Sequence, residues 1–173
     1  TITNTINNNN TIENVNDVKT TKNTFSVLVP DSEGSTTFKA ISFGGTSNSI
    51  DMTYNYNNDG QFMVYYDYQT NTVKSRSSEN SGIVSLHSNS HAFAALKQDG
   101  SVITWGYSQS YENKGGSPYY KSDNDIDWIS VADKLTSGVL YITSNECSFL
   151  AIKANEIVVW GDSQKGGGPY VYD

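Results

Sequence analysis

The chain has 173 residues, of which 36% are hydrophobic and 17% charged, with a net charge of -7 at pH 7. A core drawn from so few apolar residues is thin, which suits layered β structure rather than a large helical bundle. The acidity, with Arg76 as the lone guanidinium, excludes nucleic acid as a partner, because phosphate contacts need clustered Lys and Arg. No apolar run has the length of a membrane-spanning helix.

Residues 1–23 form a low-complexity tract of Asn, Thr and Ile with nothing large for a core. Alone it is expected to be disordered, and paired with copies of itself or another subunit it becomes an extended tail. Residues 24–80 read as a β-hairpin region. Phe25 to Val29 is a strand, broken by Pro30-Asp31-Ser32-Glu33-Gly34, with Thr36 to Phe43 returning as its partner. A second hairpin is predicted around Asn58-Asp59-Gly60, where alternation through Met52, Tyr54 and Tyr56 meets alternation through Phe62, Val64, Tyr66 and Tyr68. Ser47-Asn48-Ser49 and Asn58-Asp59-Gly60 stand where a later unit has Ser88-Asn89-Ser90 and Gln98-Asp99-Gly100. The region is read either as a degenerate repeat or as an independent hairpin.

Two clear repeat units follow, over residues 81–136 and 137–173. The stretch Ser81-Gly82 … Ser88-Asn89 … Phe93-Ala94-Ala95-Leu96-Lys97 … Trp105-Gly106 returns as Ser137-Gly138 … Ser144-Asn145 … Phe149-Leu150-Ala151-Ile152-Lys153 … Trp160-Gly161. Lys114-Gly115-Gly116-Ser117-Pro118-Tyr119 likewise answers Lys165-Gly166-Gly167-Gly168-Pro169-Tyr170. Self-similarity at this period signals units that cover one another's apolar faces. Each unit carries a hairpin, Ala92 to Lys97 with Ser101 to Trp105 and Phe149 to Lys153 with Glu156 to Trp160, and Gly100 supplies the positive φ of its turn. Their nearly continuous apolar runs predict strands covered on both faces. Between the units, Asp127 to Leu135 reads as one short helix capped by Gly138. The chain starts at Thr1 and stops inside a repeated linker, and is expected to be part of a longer or processed polypeptide.

Phe93-Ala94-Ala95-Leu96-Lys97-Gln98-Asp99-Gly100-Ser101-Val102-Ile103-Thr104-Trp105-Gly106 resembles the repeat of proteins related to the regulator of chromosome condensation, in its divergent bacterial and viral branch. The resemblance covers roughly Gly82 to Asp173. It implies an all-β fold of propeller-type blades, with Phe93, Lys97, Gly100, Trp105, Gly106, Phe149, Lys153, Trp160 and Gly161 as its structural signature. The eukaryotic namesake promotes nucleotide exchange on a small GTPase and binds chromatin. Carrying that role over requires a full ring of blades and a basic face.

The chemistry-bearing residues form no catalytic set. His87 and His91 are the only histidines, and an offset of four along a strand puts both on one face without a third ligand. Asp123-Asn124-Asp125-Ile126-Asp127 resembles a calcium loop, yet Trp128 and Lys134 occupy the places of its glycine and closing carboxylate. Lys165-Gly166-Gly167-Gly168-Pro169 lacks the end of a phosphate loop. Cys147 reads as a small buried hydrophobe, and Trp105, Trp128 and Trp160 as core. The candidate binding face is Tyr54, Tyr56, Tyr66 and Tyr68, since tyrosine offers an apolar ring with a polar tip. The expectation is a non-catalytic structural or interaction protein without metal or cofactor, in an extracellular appendage, surface layer or virion. It would assemble with other protein subunits, including copies of itself. The alternatives are a glycan- or protein-binding module using the Tyr-rich sheet and an intracellular exchange-factor-like regulator.

Overall fold

The computed structural model describes residues 15–22, 24–44, 64–67, 72–75, 81–107, 113–121 and 127–168. Strands β1 (Asp17–Thr20), β2 (Thr24–Pro30) and β3 (Phe38–Gly44) form an antiparallel meander. Val18 therefore pairs with Val27 of the same chain, so the end of the Asn/Thr/Ile-rich tract finds its strand partner within the molecule. Strand β4 (Val64–Asp67) runs parallel to β3 on one edge and antiparallel to β5 (Thr72–Ser75) on the other. The hairpin expected across Asn58-Asp59-Gly60 is thus not the pairing that β4 makes. Its turn and its first strand lie outside the described residues.

Unit one consists of β6 (Ile83–Ser88), β7 (Ala92–Lys97) and β8 (Val102–Gly106). It joins the N-terminal meander through Phe38 opposite Ile83, giving one eight-stranded sheet of order β1-β2-β3-β6-β7-β8 with β4 and β5 branching from β3. Strands β9 (Tyr119–Lys121) and β10 (Trp128–Ser130) make a two-stranded ribbon between the units. Unit two is the three-stranded sheet β11 (Val139–Ser144), β12 (Ser148–Lys153) and β13 (Ile157–Gly161). The fold is all-β, built of repeated blade-like sheets, and none of the sheets closes on itself. Among the described residues no helix is long and apolar enough to cross a membrane.

The pairing registers show that the units are copies. Phe93 faces Trp105 across β7–β8 as Phe149 faces Trp160 across β12–β13. Both first strands carry the same irregularity, between Ile83 and Ser85 and between Val139 and Tyr141. This first strand of each unit, β6 or β11, is an addition to the hairpin expected from the sequence.

The helix expected over Asp127–Leu135 is reduced to a 3-10 turn at Ala132–Leu135. Its first half is β10 instead, because Trp128, Ile129 and Ser130 pair with Lys121, Tyr120 and Tyr119. Val131 and Leu135 are the residues that this segment buries, and its end is Thr136 in a helical conformation rather than Gly138. A second 3-10 turn spans Ser163–Lys165, with the Asp162 carboxylate accepting from the Gln164 amide at 3.0 Å.

Two apolar clusters lie on opposite faces of β7. Phe93 and Ala95, with Ile103 and Trp105, pack on Leu28, Ala40, Ile83 and Leu86. Ala92, Ala94, Leu96 and Val102 pack instead on unit two, against Ile142, Phe149, Ala151, Val158 and Trp160. Strand β7 is therefore covered on both faces, as its continuous apolar run predicts. Strand β12 is not: Phe149 and Ala151 are buried, whereas Ile152 on the opposite face is exposed.

Candidate functional site: the seam between the repeat units

The residues shared by the two units build one device twice. The Asn89 carboxamide oxygen accepts from the amides of His91 and Ala92, both at 2.7 Å, and its nitrogen donates to the Lys114 carbonyl at 2.8 Å. Asn145 repeats this, accepting from Cys147 at 3.0 Å and Ser148 at 2.8 Å and donating to the Lys165 carbonyl at 2.6 Å. Asparagine suits the place because one side chain presents both an acceptor and two donors, so it closes the turn and ties in the linker loop together. The Ser-Asn match was visible in the repeat, but its task was not, because the loop it holds is remote in sequence.

Phe and Trp stack beside this turn, Phe93 on Trp105 with centroids 5.5 Å apart and Phe149 on Trp160 at 5.4 Å. Each buried indole needs an acceptor, and each finds it on the element before its own unit. Trp105 donates to the Ser42 hydroxyl at 3.1 Å, and Trp160 donates to the Gly115 carbonyl at 3.2 Å. Gly106 and Gly161 end the last strands at φ +118° and +117°. A Cβ on Gly106 would stand 2.6 Å from the Ala92 Cα, and one on Gly161 2.7 Å from the Cys147 carbonyl oxygen. Glycine is required at both on two counts, its positive φ and the close approach of the neighbouring strand. The stems of Lys97 and Lys153 lie over Gly82 and Gly138, and the Lys153 ammonium reaches the Lys134 carbonyl at 2.9 Å. Gly100, at φ +79°, shapes the β7–β8 turn, and its carbonyl accepts from the Val139 amide at 2.9 Å.

At one end of the seam the N-terminal segment, unit one and unit two meet. The Lys22 amide donates to the Ser90 carbonyl at 2.9 Å, the Ser90 amide to the Glu146 carbonyl at 3.2 Å, and the Ser144 hydroxyl to the Ser88 carbonyl at 2.8 Å. A rim of side chains surrounds this junction. Lys22 approaches Glu146 at 3.8 Å, the His91 ring is edge-on to Tyr107, the Lys114 ammonium lies over the Tyr107 ring at 5.3 Å, and His87 is edge-on to Tyr141. His87 lies in β6 and His91 in the turn beyond it, so the two do not share a strand face as their spacing implied. Burial, then the Lys19 ammonium, holds the His87 imidazole below its ordinary pKa against the opposing pull of Asp17. Burial also lowers that of His91, against the Glu146 carbonyl that raises it.

Among the described residues, no group of three or more His, Cys, Asp or Glu side chains converges as a metal site. An open cavity of about 280 Å³ lies beside the β7–β8 turn, lined by Lys97, Asp99, Ser101, Val102, Pro118 and Leu135 among others. The Asp99 carboxyl is held below the usual carboxylate range by hydrogen bonds from the Ser101 hydroxyl and amide. Cys147 is buried, with the Lys165 ammonium 3.6 Å from its sulfur. Trp128 is half-buried beneath the Lys121 ammonium instead of lying in the core. The side chains of the expected binding face, Tyr54, Tyr56, Tyr66 and Tyr68, lie outside the described residues, as does most of the acidic loop Asp123 to Asp127.

No protein-family model matches the chain, and no curated protein matches it. Among solved structures, a chain of the crystal structure of Kap60 bound to yeast RCC1 (Prp20) is similar. The two share 17% sequence identity with a TM-score of 0.49, over 88% of this chain and 33% of that one. This chain thus spans about a third of the length of that neighbour. The repeat itself is established within the molecule, by matching registers and hydrogen bonds.

Proposed function

We propose that this chain is a non-catalytic structural or interaction protein built of β repeats of the regulator-of-chromosome-condensation type. In this reading it engages other protein subunits in an extracellular appendage, a surface layer or a virion. The observation that carries the reading is the use made of the repeated residues. Asn89 and Asn145 close a turn and tie in the linker loop of their own unit, the Phe–Trp stacks and terminal glycines pack each hairpin, and the two indoles bond to the preceding element, all of them structural tasks. The rim of the seam is what remains, where Lys22, His91, Tyr107, Lys114 and Glu146 offer mixed charge and aromatic edges suited to a protein surface. The low overall charge and the Asn/Thr/Ile-rich N-terminal tract support a place in an assembled appendage rather than on a polyanion.

Light scattering after size exclusion tests the reading on the native protein. The expected result is a species heavier than the 19.0 kDa chain, growing with concentration. A single mass of one chain across the accessible concentration range overturns the self-assembling form of the proposal.

A further inference from the structure

Unit one is covered by unit two through one face of β7 and β8, and on the matching face of unit two Ile152 and Ile157 are exposed while Leu150 and Val159 are half-buried. Residue by residue, Ala94, Leu96, Val102 and Thr104 correspond to Leu150, Ile152, Ile157 and Val159. The first set is buried, with Leu96 at 8% and Val102 at 5% exposure, whereas Ile152 and Ile157 are 38% and 63% exposed. The polar part of the seam shows the same contrast. Asn89 is 6% exposed beneath unit two, while Asn145, with the same three hydrogen bonds, is exposed.

The loop that receives the next unit is also duplicated. Gly115 lies so close beneath the Phe149 ring that a Cβ there would be 2.6 Å from two ring carbons, and its carbonyl accepts from the Trp160 indole. Gly166 holds the equivalent place with a similar backbone, at φ +88° against +98°. A Cβ on Gly166 would meet only the Asn145 side-chain nitrogen, at 3.4 Å, and among the described residues no donor reaches its carbonyl. Aliphatic face, asparagine turn and glycine seat are thus all repeated, and among the described residues the second set has no occupant.

We propose that the outer face of the β11–β13 sheet is a docking surface for a third three-stranded unit of this repeat, seated as unit two is seated on unit one. Its inward face would carry the Phe–Trp stack over Gly166, with the indole donating to the Gly166 carbonyl. Leu150, Ile152, Ile157 and Val159 would take the buried positions that Ala94, Leu96, Val102 and Thr104 hold now. The larger side chains on this face place the third sheet farther out than unit two lies from unit one. An exposed aliphatic face next to a polar, weakly charged surface is the mark of a surface meant to be covered. The inference does not depend on self-assembly of the chain.

The test compares the 173-residue chain with a tandem in which residues 119–168 are repeated after Pro169. An Ile157→Cys variant of each, in the first copy only, is labelled with a maleimide; native Cys147 is buried and leaves a low background. The expected result is rapid labelling in the parent and labelling at least tenfold slower in the tandem. Gly166→Ala then imposes the same backbone strain on both chains, but lowers the melting temperature further in the tandem, where a ring occupies the seat. Equal labelling in parent and tandem overturns the proposal. So does a parent in which the introduced thiol is already protected, which would mean that another part of the chain or a second copy covers the face. An assembling parent that still labels rapidly keeps both readings, and a monomeric one that labels rapidly removes only the assembly reading.

Discussion

Removing the Asn89 carboxamide tests whether the seam is held as described. In Asn89→Ala the amides of His91 and Ala92 and the carbonyl of Lys114 lose their partner at a site only 6% exposed. A buried backbone group left without a partner costs about 1–3 kcal/mol, less wherever water can enter. With three such groups and partial relaxation, the expected loss is about 3–5 kcal/mol, a large share of the roughly 5–15 kcal/mol that stabilises a domain. Asn145→Ala removes an equivalent set of bonds at an exposed position, where solvent replaces much of what is lost, and is expected to cost about half as much. Asn89→Asp keeps the acceptor for both amides but sets a carboxylate oxygen against the Lys114 carbonyl oxygen at a buried site, so it should be destabilising as well. Urea titrations monitored by tryptophan fluorescence read all three, with the slope checked for constancy. An Asn89→Ala loss below about 1 kcal/mol at unchanged slope, or an Asn145→Ala loss as large as that of Asn89→Ala, refutes the argument.

Gly106→Ala combines a positive-φ backbone with a Cβ 2.6 Å from the Ala92 Cα, and is expected to cost about 3 kcal/mol or more, seen as a loss of soluble expression or a strongly lowered melting temperature. Ser42→Ala removes an acceptor of the Trp105 indole together with the donor to the Ser26 hydroxyl, and should cost about 1–3 kcal/mol in urea denaturation, with Ser42→Thr retaining part of it. Because the folded pKa of His87 is depressed, the fold favours its neutral form. The stability this contributes is present above the unfolded value of about 6.5 and is lost as pH falls through the lower folded value. Melting temperature should therefore decline on acidification below about pH 6.5, and His87→Gln should flatten that decline. An unchanged slope in the variant would assign the acid sensitivity elsewhere.

The sequence carried the repeat itself because the signature residues have local or near-local jobs. Phe93 and Trp105 are cross-strand partners in one hairpin, and Gly106 ends the same strand, so a single copy of the motif contains most of its own explanation. What stayed hidden depends on distant pairing. Ser42 resembles any strand serine until β3 is placed against unit one. Gly115 resembles a loop glycine until Phe149 is laid on it. The helix expected at Asp127 to Leu135 yielded to ribbon pairing with Tyr119–Lys121, where tertiary context overrides a weak local preference. Double coverage of both hairpins was inferred from similar apolar runs. Among the described residues only unit one has a neighbour on each side, and the runs of β7 and β12 do not encode which neighbours are present.

The two indoles differ in what they rest on, and that difference gives the stack a direction. Trp160 binds a main-chain carbonyl in the glycine-rich loop of the unit before it, an acceptor that any copy of the repeat provides. Trp105 binds a side chain, Ser42, on a strand that is continuous with its own sheet and is itself hydrogen-bonded to Ser26 at 2.9 Å. The N-terminal meander thus stands where a preceding unit would stand, and its described residues hold neither a Phe–Trp stack nor a glycine seat. It is also joined to unit one by strand pairing at Phe38 and Ile83, a contact that the two units do not make with each other. The first unit is thus satisfied on one side through contacts that the second unit does not reproduce on the other.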